Sequence, residues 1–540
     1  MQNNTLQYKQ PLYIALSIAL GILLGTQLQR SLQKNNNTTT KLNTVLSLVQ
    51  ANYVDAVNID SLKNKLDSVI TYNKDSVEDV LIATVLATLD PHSLIIPAKD
   101  LQQVNDEMKG AFAGVGVEYA IINDTLVISN VIPNGPAQKA ALQIGDKVLQ
   151  VNDSVVAHNG ITSARIKKLF RGEPNTQLTL SIVRNKQLNK YKIVRNTVAI
   201  TSIDAAYMLT AAIGYIRLNK FSFLSYEEFN EALRQLKGQG MQSLLFDLRG
   251  NGGGSLQDAV RIADEFLEAN KTIVYTQGNH QPKQLYKSTN TGLFETGKIT
   301  LLIDEQSASA SEILAGALQD WDRATIVGRR SFGKGLVQLQ YNLPDHSALR
   351  LTTARYYTPL GRGIQKSYAN GIANYYHDIS ERNKHHALTN ADSNKYETGQ
   401  LFTTPKGKKI YGGGGITPDY FVAVDTTIAY DTVFKQLYNT NTLNEFSLAY
   451  YIANTTAIKG YGTATAYSQQ FIITPLIWQQ FSTYAATKHI KVNTLNTKQK
   501  EFVQKSIKQL LAKFAWQANG YYTVTNGKDE AILKAIALMQ

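Results

Sequence analysis

From residue 201 to about 425, short apolar runs of strand length alternate with runs of helical spacing, and this alternation restricts the region to an α/β core. The spacing predicts strands over 213–218, 243–248, 299–304 and 325–327, with helices over 225–236, 258–268 and 308–319 between them. Ser225 reads as an N-cap, with Glu228 at the capping-box position. The polar stretch 370–408 reads as an irregular excursion.

The flanking regions have other textures. Residues 41–90 carry apolar positions at helical intervals (Leu42, Val45, Leu46, Val49, then Val80, Leu81, Val85, Leu86) up to Asp90-Pro91, which ends the run. From about 105 to 195, β-like runs broken by Gly and Pro predict strands over 115–122, 125–131, 147–151 and 177–183, with short helices over 136–142 and 161–170. Residues 432–540 read as mostly helical. Leu12 to Leu28 is uncharged and of a length to span a bilayer, and no small-residue cleavage site follows it, so an uncleaved signal anchor is expected. The domain division expected is an anchor at 1–30, a tether and helical module at 31–104, a β-rich domain at 105–200, the α/β core at 201–430 and a helical extension at 431–540.

Several chemistries are excluded or disfavoured. The chain has no cysteine, so disulfides, thiolate metal sites and a Cys nucleophile are ruled out. Its net charge of +13 is not gathered on one element or interleaved with aromatics, so no nucleic-acid partner is expected. None of the eight histidines makes a metal-protease pattern or sits at an obvious strand end, so no metal is expected and a Ser-His-Asp triad has little support.

Three segments remain as carriers of chemistry. Ser307-Ala308-Ser309-Ala310-Ser311 follows a strand and opens a helix, where free N–H groups and the helix dipole favour an oxyanion. The competing role is plain helix capping by Ser307, Ser309 or Ser311. Lys334 stands between Gly333 and Gly335; a lysine there can act as a general base only if burial or a nearby cation lowers its pKa. Gly250-Asn251-Gly252-Gly253-Gly254 follows an apolar strand and can supply backbone donors, or can simply turn the chain.

Taken together, these segments resemble the C-terminal processing, or tail-specific, proteases that contain a PDZ domain. The matching pieces are LDPHS at 89–93, FAGVGVEY at 112–119, IGDKVLQVND at 144–153, FDLRGNGGG at 246–254, SASASEILAGALQD at 307–320, GRRSFGKGLVQ at 328–338, LTTARYYTPLGRGIQ at 351–365 and GGGGITPDY at 412–420. The resemblance implies a multidomain α+β protein. Its serine protease core would be an α/β unit of crotonase or Clp-protease type, with an inserted PDZ domain, an N-terminal helical module and a C-terminal helical extension. It implies Ser309 as nucleophile, Lys334 as base and Gln338 as third member, with the N–H groups of Ala310 and Gly253 as oxyanion donors. The choice among Gly252, Gly253 and Gly254 stays open, because this chain has Gly250-Asn251-Gly252 where relatives often carry Pro before the Gly pair. In the β-rich domain, Ala113, Gly114, Val115 and Gly116 would capture a substrate's terminal carboxylate, and Arg171 would relay occupancy to the protease. The implied activity is endoproteolysis near the C-termini of bacterial envelope proteins, without a cofactor. The enzyme would be anchored in the inner membrane and face the periplasm, and the resemblance leaves room for a homodimer and an adaptor protein.

Overall fold

The computed structural model describes residues 41–64, 78–289, 292–394, 399–426 and 432–540. The expected anchor at 12–28 lies outside these residues. Among the described residues, no helix is long and apolar enough to cross a membrane.

Residues 41–52 and 59–64 are helical. They are followed by α1 (Glu78–Leu86), β1 (Leu94–Ile96) and α2 (Ala98–Lys109). Val45, Val49, Ile82 and Leu86 close over Leu349 and Leu351, so this module is seated on the region after residue 201 rather than standing apart.

The β-rich domain opens with β2 (Ala111–Gly114), β3 (Val117–Ile122) and β4 (Thr125–Val131). It continues through α3 (Pro136–Lys139), β5 (Lys147–Val151), β6 (Ser154–Val155) and α4 (Ser163–Phe170). It ends with β7 (Gln177–Arg184), β8 (Gln187–Val194) and β9 (Asn196–Ala199). Its main sheet runs β3-β4-β5-β7-β8, with β6 on β5, so β3 is an edge strand. The strand expected over 115–122 is split at Gly116, whose φ of 78° interrupts the extended chain. The preceding residues 111–114 pair with β9 instead and clasp the start and end of the domain together.

The core sheet is β10 (Ile203–Met208), β11 (Ile213–Leu218), β12 (Ser243–Asp247), β15 (Lys298–Ile303), β16 (Thr325–Gly328) and β21 (Tyr420–Phe421), adjacent in that order. It is parallel from β11 onward. Strand β12 is buried along its whole length, because both faces of the sheet are covered. On one face, α5 (Ser225–Gly238), α6 (Leu256–Asp264) and α7 (Ala310–Asp320) pack against Ile216, Phe246 and Leu301. The other face presents Tyr215, Leu245, Leu302 and Val327 to the last helix of the chain, Glu530–Met539. Strand side chains alternate between faces, which is why neighbours such as Ile216 and Tyr215 enter different cores.

A second sheet is built from β1, β13 (Thr272–Gln277), β14 (Gln284–Lys287), β17 (Leu336–Asn342) and β18 (Ala348–Tyr357), with β18 central. The segment expected to be irregular contains α8 (Ile372–Lys384), then the β19–β20 hairpin (Leu401–Thr403 and Lys409–Tyr411). The expected capping box at Ser225 does not form: Leu224 is the N-cap and makes no side-chain cap. The Ser225 hydroxyl accepts from Ser222 N–H at 2.7 Å, and Glu228 accepts from Ser202 N–H at 2.6 Å, so the two side chains tie the helix start to the loop that leads into it and to the residue just before Ile203.

The C-terminal region is helical and includes α9 (Thr442–Ala453), α10 (Pro475–Thr487), α11 (Thr497–Asn526) and α12 (Glu530–Met539). Its own core, around Phe446, Tyr467, Phe481 and Ile507, takes in Ala120 and Val127 from the β-rich domain.

Candidate active site

Strands β12, β15 and β16 are parallel neighbours, so the loops that leave their carboxyl ends emerge side by side. These are the three segments singled out in the sequence: the glycine turn after β12, the serine loop after β15 and the lysine loop after β16. Asn251, fully buried, fastens the first two. Its side chain donates to Leu218 O at 2.9 Å, and its carbonyl accepts from Ala308 N–H at 3.0 Å and from the Ser311 hydroxyl at 2.9 Å.

The three serines have different fates. The Ser307 hydroxyl donates to Leu248 O at 2.8 Å, and the Ser311 hydroxyl is spent on Asn251. Ser309 is the N-cap of α7 with φ 56° and ψ −115°, a conformation costly for a residue with a Cβ. Its Oγ accepts from the Glu312 N–H in a capping box and donates to no group among the described residues. Ala310 is the first residue of α7 and is fully buried. A Cβ on Gly253 would stand 2.6 Å from Ala308 O, 2.7 Å from Ser309 Cβ and 2.8 Å from Ala310 N. Only glycine leaves the space in front of the Ala310 N–H open. The Gly253 N–H itself donates to Asn251 Oδ1 at 2.9 Å, so in this arrangement it is already engaged.

Lys334 is half-buried, and its pKa is lowered to about 8. Burial is the largest cause, the Arg350 cation adds to it, and Asp90 and Glu312 oppose it. Gln338 lies on β17, where its side chain donates to Thr352 Oγ1 at 3.3 Å. Thr352 in turn donates to the buried Asp90 at 3.0 Å. No hydrogen bond joins Gln338 to Lys334 among the described residues. The structure thus brings Ser309, Lys334, Ala310 and Gly253 to one place, with Gln338 beside them but turned to Thr352.

Other residues at this place were not singled out from the sequence. Glu312, fully buried, accepts from Ser309 N–H at 2.9 Å and Lys334 N–H at 2.8 Å. The Tyr356 hydroxyl meets the carbonyls of both Ser309 and Lys334. His92 pairs with Tyr375 Oη at 2.8 Å; burial, followed by Lys334 and Lys366, lowers its pKa to about 3, so it stays neutral. Asp90 and His92 belong to the LDPHS segment, and that motif was the one available signal for them.

In the β-rich domain, the carbonyls of Val115 and Gly116 accept from Ala137 N–H at 2.8 Å and Ile132 N–H at 3.0 Å. Ala113 and Gly114 are held in the β2–β9 pair. Between the edge strand β3 and α4, Tyr119 donates to Ser163 O at 3.3 Å, and its ring meets Phe170 edge-on at 6.2 Å. Arg171 caps α4, pairs with Asp106 of α2 at 3.4 Å and lies over the Phe112 ring at 5.3 Å. Neighbouring Asn105 of α2 accepts from Gln340 of β17 at 3.2 Å.

Residues 212–376 match Peptidase family S41, residues 113–194 match the PDZ domain, and residues 433–517 match a family of unknown function, DUF8443. A carboxy-terminal-processing protease from Bartonella bacilliformis is 37% identical over 52% of this chain and 65% of its own length. A probable CtpA-like serine protease from Staphylococcus epidermidis is 33% identical over 51% of this chain and 55% of its own length. The chain thus spans less than two thirds of the length of these relatives. A solved photosystem II D1 C-terminal processing protease is 27% identical over 61% of this chain and 90% of that one, at a TM-score of 0.37. The chain carries a peptidase family S41 domain and a PDZ domain, and it is similar to carboxy-terminal-processing and CtpA-like serine proteases.

Proposed function

We propose that the chain is a Ser–Lys endopeptidase that cleaves proteins near their C-termini. The observation that carries this reading is the convergence of three loops from adjacent parallel strands. Of the three serines in that loop, Ser309 is the one whose hydroxyl proton is given to no partner among the described residues, and Lys334 is a lysine with a pKa lowered to about 8. Ser309 attacks the scissile carbonyl while neutral Lys334 takes its proton and later returns it to the leaving amine. The Ala310 N–H stabilises the oxyanion, and Gly253 joins it if Asn251 releases the Gly253 N–H. Gln338 steadies the lysine once its side chain leaves Thr352. The 113–116 loop and the β3 edge receive the substrate's C-terminus by strand addition. Arg171 reports occupancy through α2, which touches both Arg171 and β17. The proposed setting is the bacterial envelope with residues 12–28 as anchor, and the domain division is the one expected from the sequence.

The test is cleavage of a peptide library with free or amidated C-termini by wild type, Ser309→Ala and Lys334→Arg proteins. Both variants should be inactive, since an arginine cannot deprotonate, and amides should be cleaved far more slowly than acids. Turnover by purified Ser309→Ala would overturn the nucleophile. Equal cleavage of acids and amides would overturn carboxylate recognition.

A further inference from the structure

We propose that Glu312 and Tyr356 are positioning residues that staple the nucleophile's backbone to that of the lysine; this inference rests on the Ser309–Lys334 reading. Glu312 Oε2 accepts from both Ser309 N–H (2.9 Å) and Lys334 N–H (2.8 Å). The Tyr356 hydroxyl reaches both carbonyls of the same two residues. The peptide groups on either side of Ser309 and of Lys334 are therefore held through one carboxylate and one phenol. With a single proton, the phenol bonds one carbonyl at a time, so the carboxylate is the stronger half.

The remaining oxygen of Glu312 accepts from Gly333 N–H at 2.7 Å and from the Ser331 hydroxyl at 2.5 Å. Ser331 Oγ itself accepts from Ile416 N–H at 2.6 Å, which leaves its proton for Glu312. Three of the four donors are backbone N–H groups, which cannot accept. A protonated carboxyl could give its hydrogen only to Ser331 Oγ, so the three N–H donors favour the ionised form. Burial pushes the carboxyl up from its ordinary range, and the four donors pull it back.

Seated there, Glu312 does two things. It fixes the spacing of two loops that no covalent link joins, and misplacement of reacting groups by about 1 Å can cost about 100-fold in rate. It also adds negative charge beside Lys334 and so favours the protonated amine. The other groups facing Lys334 are Asp90 and the neutral His92 from the N-terminal module, and Arg350 from β18. Facing Glu312 are Lys366, Tyr375 and Arg382 from the segment around α8, and Tyr356 from β18.

The experiment compares Glu312→Gln and Tyr356→Phe with wild type on one internally quenched peptide with a free C-terminus, chosen from the library. Rates are measured across pH, and folding is checked by thermal melting. Ser309→Ala serves as the control for the underlying reading. Glu312→Gln should lower kcat by about 100-fold with little change in KM. It should also move the acid limb of kcat/KM to lower pH, because loss of the anion lowers the lysine's pKa. A residue that merely filled space would not move that limb. Tyr356→Phe, which removes no charge, should lower kcat by about 10-fold with the limb unmoved. Wild-type kcat and an unmoved limb in folded Glu312→Gln would overturn the inference. Should Glu312→Gln fail to fold, Tyr356→Phe decides, and wild-type kcat there overturns it. Activity surviving in Ser309→Ala would instead overturn the reading on which the inference rests.

Discussion

Ser307, Ser309 and Ser311 lie within five residues, and their hydrogen bonds separate them. Ser307 and Ser311 hydroxyls donate to the buried carbonyls of Leu248 and Asn251, whereas Ser309 holds a strained backbone and a hydroxyl proton given to no partner among the described residues. Ser307→Ala and Ser311→Ala should each lose about 0.5–1.5 kcal/mol of stability, the net worth of one hydrogen bond to a carbonyl that keeps a backbone donor, yet still cleave peptide. Denaturant melts beside an activity assay check this; an inactive but fully stable Ser311→Ala would contradict it. At this scale the sequence showed Ser309 and Lys334 because they sit in short patterned loops rich in small residues. It hid Glu312 and Tyr356. An acidic residue in a helix's first turn has the spacing of an ordinary cap, and a tyrosine in a strand has that of core; only tertiary contact reveals that both touch the same two residues.

At the scale of elements, the alternation of strands and helices made the core legible, and β12, β15 and β16 lie within a residue or two of where periodicity put them. The helix α8 was not legible. Its buried residues are Tyr375 and Arg382, so its inner face is polar by composition and the apolar spacing that marks a helix is absent. That face is nevertheless specific: Arg382 donates to the carbonyls of Arg330, Ser331 and Phe332 at 3.2, 2.7 and 3.2 Å, clamping the loop that leads to Lys334. Arg382→Met keeps most of the stem and removes the donors. It should speed amide hydrogen exchange across 330–335 and lower kcat by about 10-fold or more, with exchange in β12 and β15 unchanged. Unaltered exchange across 330–335 would show that α8 does not hold the loop.

Across the whole molecule, the region after 431 reads from sequence as an appended helical extension, since its periodicity is self-contained. The structure ties it to both neighbours. Lys513 of α11 pairs with Glu118 of the PDZ domain at 3.2 Å, while Asn519, past the kink that breaks α11 at Trp516 and Gln517, accepts from Ala206 N–H of β10 at 2.9 Å. Helix α12 lays Ala531, Ile532, Ala535 and Met539 on the core sheet, and Asp529 at its N-cap pairs with Arg249 at the glycine turn at 2.9 Å. Removing residues 528–540 would bare Tyr215, Leu245, Leu302 and Val327. At about 1.5–3 kcal/mol per large apolar side chain, that is comparable with a domain's whole stability. The truncated protein should therefore aggregate or melt far below the full chain. A truncation that melts with the full-length protein and keeps its activity would show α12 to be dispensable.

The central claim, that Lys334 activates Ser309, is tested most directly by covalent labelling of the serine across pH. A fluorophosphonate reacts only with an activated hydroxyl, so its rate reports the base without requiring a known substrate. Neutral amine is the reactive form, so the rate should rise with pH along a limb near 8, well below the ordinary lysine value of 10.5. Mass spectrometry should place the adduct on Ser309, and Lys334→Met should abolish it at every pH. An adduct on another serine, or equal labelling in Lys334→Met, would contradict the account.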